Sequence, residues 1–267
     1  MNCKEVISEI LYMLDGDYES FTQMNELEYK CLTRLSQLED ECSEVLMQVG
    51  QDLLERSNES EDMEYKFLLI LQTLALRQQP GALELNIAAL LSEKTIDKEA
   101  YIDLLATFKN PQAIPALIHA IKTDHSAGED EGLVRYKAIE VLGLVGAKEV
   151  ASIIIPYVKD SAYRVRRASI QFLRKFDIAE AASILAKWLS QEENLTNLEV
   201  LISALVHWKH TDSLPELREL LTSDWVCNDK GLQTNVSEGI WKLSNSLLQL
   251  PYPAEKIFSQ PPIYPSD

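Results

Sequence analysis

The sequence predicts an all-α fold, a right-handed α-solenoid of stacked helical hairpins, and three observations lead there. An Ile-x-x-Leu pair recurs in register at Ile102/Leu105, Ile139/Leu142, Ile170/Leu173, Ile202/Leu205 and Ile240/Leu243, at intervals of 37, 31, 32 and 38 residues. A further apolar residue follows each of the first four leucines by twelve positions: Leu117, Ile154, Leu185 and Leu217. Composition agrees, since 46% hydrophobic residues and nine glycines in 267 positions suit an ordered, helix-rich chain. An apolar skeleton of this period marks an array whose units bury their faces only by stacking on their neighbours.

Each unit reads as two helices. In the first, Ile139, Leu142 and Val145 form one stripe of a helical period. A short break follows, such as KNPQ, GAKE or KHTD, and the second helix begins. Pro115 and Pro215 sit at matching places in its first turn, where a missing N–H costs nothing. Thr196 and Glu199 have the spacing of a capping box opening the fourth unit. Upstream, 3–57 and 63–92 also read as helices, but their apolar register drifts from the five clean copies. The expected organisation is therefore an acidic N-terminal helical region of degenerate repeats (1–96), the repeat array (97–249) and a tail (250–267). The tail holds five of the ten prolines, a composition for extended chain.

Charge narrows the company the chain can keep. The formal net charge is −17, and residues 1–60 carry 14 acidic against 4 basic side chains. Such acidity disfavours nucleic acid and anionic lipid and favours a basic protein partner. Cys3, Cys31, Cys42 and Cys227 form no CxxC pair, so neither a zinc framework nor a disulfide scaffold is expected. Glu5 and Glu9 interrupt the apolar run that a secretory leader would need, and no apolar stretch is long enough to span a bilayer. A soluble, cytoplasmic protein is expected.

Chemistry is sparse. His207 and His210 share a helical face at i, i+3, without the neighbouring carboxylate of a zinc-enzyme pattern, and are expected to flank a turn. No phosphate-binding glycine loop or nucleophile elbow is present, and no catalytic residue, cofactor or metal is assigned. Trp188 and Trp208 fall on core positions of the register, whereas Trp225 lies in a loop with no register role.

The segments LVRYKAIEVL (133–142) and RVRRASIQFL (164–173) align at a spacing of 31, with Arg135 on Arg166. The block VRYKAIEVLGLVGAKEVASIIIPYVKDSAYRVRRASIQFL resembles HEAT repeats, in particular the short repeats of the phycobilisome-lyase type, over about residues 98–222. The resemblance implies that the Val-Arg opening each first helix pairs with an aspartate closing the previous unit. Asp160 would then serve Arg166, and Asp124 or Glu131 would serve Arg135, making these arginines rungs between repeats. Arg164, Arg167, Arg174 and Lys175 lie outside that scheme and read as a solvated basic patch.

Repeats of this kind serve adaptors, scaffolds, regulators and a few enzymes, so the resemblance leaves three functions open. The first is a non-enzymatic protein-binding solenoid (an adaptor, assembly factor or inhibitor of the immunity type) holding a basic partner on a concave or edge surface. The second, implied by the resemblance alone, is a bilin lyase or bilin-binding protein, with Cys227 as the one thiol in the repeat region. The third is a nucleic-acid binder working through Arg164 and Arg167. For the first, the register places His119, Pro156, Lys187 and Glu219 outward on second helices, with Lys122 and Lys159 one turn on. The two long intervals place insertions at 123–132, bearing Glu129, Asp130 and Glu131, and at 222–233, bearing Trp225 beside Asp224 and Asp229. These insertions are expected to form a binding edge.

Overall fold

The computed structural model of the chain describes residues 2–15, 21–128 and 131–246. The tail expected at 250–267 lies outside the described residues, as do Glu129 and Asp130. Among the described residues there are fifteen α-helices and no strand. They fall in two compact units, Met1–Phe176 and Asp177–Asp267.

In the first unit the helices run α1 (Cys3–Tyr12), α2 (Phe21–Ser36), α3 (Ser43–Arg56), α4 (Glu61–Leu76) and α5 (Ala82–Leu91). They continue as α6 (Lys98–Phe108), α7 (Ile114–Thr123), α8 (Leu133–Leu144), α9 (Ala151–Ile154), which tightens into a 3₁₀ turn over Ile155–Lys159, and α10 (Tyr163–Lys175). First helices of successive hairpins pack side by side, α4 on α6, α6 on α8 and α8 on α10. The second unit holds α11 (Ala182–Trp188), α12 (Leu195–His207), α13 (Leu214–Leu221), α14 (Asp224–Cys227) and α15 (Lys230–Asn245), with α12 packed on α15 and α13 on α15. The chain is an all-α array of hairpins. Pro115 and Pro215 stand in the first turns of α7 and α13.

The apolar skeleton is the core. Ile102, Leu105, Ile139, Leu142, Ile170 and Leu173 are fully buried, as are Leu117, Ile154, Leu185 and Leu217. Burying one such side chain contributes roughly 1.5–3 kcal/mol, so the repeated positions dominate the stability of each hairpin. Ile240 in the last copy is half-buried, while Leu243 is buried.

Five of the first helices end in the same way. Four residues after Leu74, Leu105, Leu142, Leu173 and Leu205 the backbone turns left-handed, at Gln78, Lys109, Gly146, Asp177 and Lys209. At three of these turns the next residue reaches back five positions: Gln79 N–H to Leu74 O, Ala147 N–H to Leu142 O and His210 N–H to Leu205 O. This Schellman-type closure satisfies the carbonyls that a helix end leaves open. The first of these turns fixes the register of a repeat within the N-terminal region. Leu71 and Leu74 of α4, both fully buried, occupy the Ile-x-x-Leu positions one repeat upstream of Ile102 and Leu105. The second-helix position twelve residues after Leu74 is Asn86, which is fully buried and donates through Nδ2 to Tyr101 O at 3.2 Å. A polar residue at that core position is why the register drifts here when read as a hydrophobic pattern.

Three local expectations need correction. Cys3 and Cys42 form a disulfide that ties α1 to the turn before α3, although their spacing of 39 matches no cysteine motif. The cap of α12 is Asn194, whose side chain accepts from Asn197 N–H at 3.1 Å, in place of the Thr196–Glu199 box. Trp188 and Trp208 are half-buried at the ends of their helices rather than fully buried in the core, with Trp188 Nε1 donating to Glu192 at 3.4 Å and the indole nitrogen of Trp208 inaccessible.

Candidate binding surface

The arginine rungs set the shape of the first long insertion. Arg135 is 4% exposed, and its Nε and Nη2 donate to Oδ2 and Oδ1 of Asp160, each at 3.0 Å. Its Nη1 lies 3.2 Å from the Asp124 carboxylate and donates to Asp124 O at 2.9 Å and Ser126 Oγ at 3.2 Å. Burial works against the guanidinium charge, but the Asp160 hydrogen bonds and the two carboxylates more than restore it, so the pKa is raised. Asp124 serves Arg135 as expected, and what differs is the use of Asp160. The Asp160 carboxylate serves the arginine of the preceding helix, and Arg166, also buried, donates to the main-chain oxygens of Asp160 and Ser161 at 3.0 and 2.9 Å. Arg167 is half-buried rather than free in solvent.

The loop before α8 is consequently a folded cap on Arg135. Asp124 Oδ1 accepts from Ser126 N and Oγ, and Ser126 Oγ accepts from Gly132 N. Gly132 has φ +76, and a Cβ there would meet Arg135 Nη2 at 2.8 Å and Val165 Cγ2 at 2.9 Å. Glycine is required twice over, for the backbone and for the close approach. Glu131 is exposed at the end of this loop.

The other candidates divide between the units. In the first, His119 and Lys122 lie exposed one turn apart on α7, and Lys159 is exposed at the end of the 3₁₀ turn after α9. In the second, Lys187 on α11 and Glu219 on α13 are exposed. Trp225 does not lie in a loop. It sits in the single turn of α14, held by buried Val226, and is 39% exposed. Asp229 is committed to capping α15, accepting from Leu232 N–H at 2.9 Å, which leaves Asp224 as the exposed acid beside the indole. His207 and His210 flank the turn after α12: His207 Nε2 lies 3.3 Å from Asp177, and His210 Nε2 lies 3.4 Å from Ser183 Oγ. Among the described residues this is not a triad, because the acid and the hydroxyl engage different histidines.

A cavity of about 880 Å³ opens elsewhere, between α4 and α6. The sequence reading missed it. The one signal was Leu76, an apolar residue two positions past a register leucine, on the side of the helix that the repeat leaves unpaired.

Comparison with known proteins agrees with the repeat assignment. Residues 127–205 match the family model of HEAT repeats, a stretch running from the loop before α8 to Leu205 in α12. Among solved structures the chain is similar to the complex of CpcE and CpcF of phycocyanin lyase from Nostoc sp. PCC7120, with 15% identity and a TM-score of 0.43. The alignment covers 89% of this chain and 94% of that one. No curated protein matches the chain.

Proposed function

We propose that the chain is a non-enzymatic binding protein whose partner is a basic protein. One observation carries this reading: large apolar side chains stand exposed on a strongly acidic surface. Tyr12 and Tyr29 are each more than 70% exposed, on helices that also bear Glu9, Glu26 and Glu28. Trp225 repeats the combination beside Asp224. Aromatic anchors ringed by carboxylates match a partner that offers apolar pockets among lysines and arginines. Exposed tryptophan and tyrosine cost free energy in water, which a binding role offsets. Within this reading the contact surface of the first unit includes Glu131, His119, Lys122 and Lys159, and that of the second includes Trp225, Lys187 and Glu219.

No helix of the described residues is long and apolar enough to cross a membrane. The reading places the chain in the cytoplasm. There Cys3 and Cys42 would stand reduced, and the disulfide would close only on oxidation.

The test is capture of the partner on purified chain from the native host, identification by mass spectrometry, and measurement of its affinity for wild type and for Trp225→Ala. A basic partner that binds Trp225→Ala more weakly by about 2 kcal/mol supports the reading. A chain that instead purifies with stoichiometric absorbance in the visible range, and no protein, contradicts it.

A further inference from the structure

We propose that the groove between α4 and α6 seats a short extended segment of a partner protein, with bulky apolar side chains next to basic ones. This rests on the reading above and adds where the partner is held and by what chemistry. The groove lies wholly in the first unit and holds about 880 Å³. Leu83, Leu104 and Phe108 supply its apolar lining. Leu76 stands at its lip at the end of α4, 63% exposed. A leucine so exposed beside apolar lining is area that a partner can remove from water.

Amides frame this lining. Gln72, Gln78, Gln79 and Gln112 all line the groove, and among the described residues none of their side chains hydrogen-bonds within the chain. A primary amide both donates and accepts. Four uncommitted ones suit an extended main chain, whose N–H and C=O groups need partners; a helical occupant has already paired its own. The groove follows α6 from Ala100 to Phe108, roughly 12 Å of helix at 1.5 Å per residue. At about 3.3 Å per residue that is room for about four extended residues.

Charge sets the flank. The charged side chains in the lining are Glu84 and Asp103, with no lysine, arginine or histidine. Both are exposed, but Asp103 is paired with Lys137, which leaves Glu84 as the acid open to a cation. The complement is a segment of about four residues with leucine- or phenylalanine-like anchors and an adjoining arginine or lysine.

Panning a displayed library of random peptides, each of about twelve residues, on the full chain tests this. Enriched sequences should pair apolar anchors with basic flanks. The best of them, made synthetically with a fluorophore, should bind wild type and lose about tenfold or more in affinity for Leu76→Arg/Glu84→Arg. Both positions are exposed, so circular dichroism should show the fold intact. Trp225→Ala, in the other unit, should change this affinity by less than about twofold. No enrichment, enrichment of acidic peptides, or equal binding to the double variant overturns the proposal. If the groove fails in this way while a captured basic partner still depends on Trp225, the broader reading stands without the groove.

Discussion

Arg135 and Asp160 form a two-pronged ion pair across the junction of two repeats, with both bonds at 3.0 Å and the guanidinium nearly inaccessible. Because Asp124 also lies against Arg135, one cation holds the acids that close two successive units. Removing it would leave the Asp124 and Asp160 carboxylates without their shared counter-charge. Arg135→Ala should therefore cost about 3–5 kcal/mol, against less than about 1 for half-buried Arg167→Ala, read from urea unfolding. Arg135→Lys should recover little, since an ammonium cannot reproduce the fork. Equal losses at 135 and 167 would remove the rung.

Two leucines on one helix give the cleanest test of the packing. Leu142 is fully buried and Leu144 is 51% exposed, two residues apart on α8. Leu142→Ala should cost roughly 2–5 kcal/mol, as should Leu173→Ala, its equivalent one repeat on. Leu144→Ala should fall within about 0.5 kcal/mol of wild type. A reversed order would mean the register is wrong by two residues.

Left-handed turns make a prediction of opposite sign at equivalent places. Nothing lies within 4 Å of a Cβ built on Gly146, which has φ +81, so Gly146→Ala tests the backbone alone. It should cost about 1 kcal/mol. Lys109→Gly and Lys209→Gly, at φ +48 and +53, should gain about 0.5–1 kcal/mol by relieving the same conformation. Destabilisation by both glycine variants would mean these turns carry no strain.

Thiol counting tests the cysteine arrangement. Cys227 is exposed, whereas Cys31 is buried, and burial pushes its thiol pKa up. After oxidation the folded chain should react once with a thiol reagent, at Cys227, and the unfolded chain twice. Reduction before unfolding should raise the count to four. Four reactive thiols in the oxidised, unfolded chain would show that Cys3 and Cys42 are not joined.

What was legible in the sequence follows from what repeats in it. Apolar positions recur at fixed intervals because every hairpin must bury the same face, and that made the array readable from Ile102 onward. The repeat before it read only as degenerate, because Asn86 replaces an apolar residue at its second-helix core position. The turns were hidden for a related reason. Only one of the five left-handed positions is glycine, and Gln78, Lys109, Asp177 and Lys209 give no composition signal. Arg135 was marked as a rung, but its partner could not be chosen without the shape of the 123–132 loop, which Gly132 bends over the guanidinium. The groove was out of reach, because it is formed by side chains of successive repeats that no single hairpin brings together.

The central claim is that this chain works by holding a basic protein. The most direct measurement is the affinity of the captured partner across added salt, by calorimetry from about 0.05 to about 0.5 M. The account predicts a partner with net positive charge whose affinity falls by about tenfold or more over that range. An acidic partner, or an affinity that salt leaves unchanged, would contradict it.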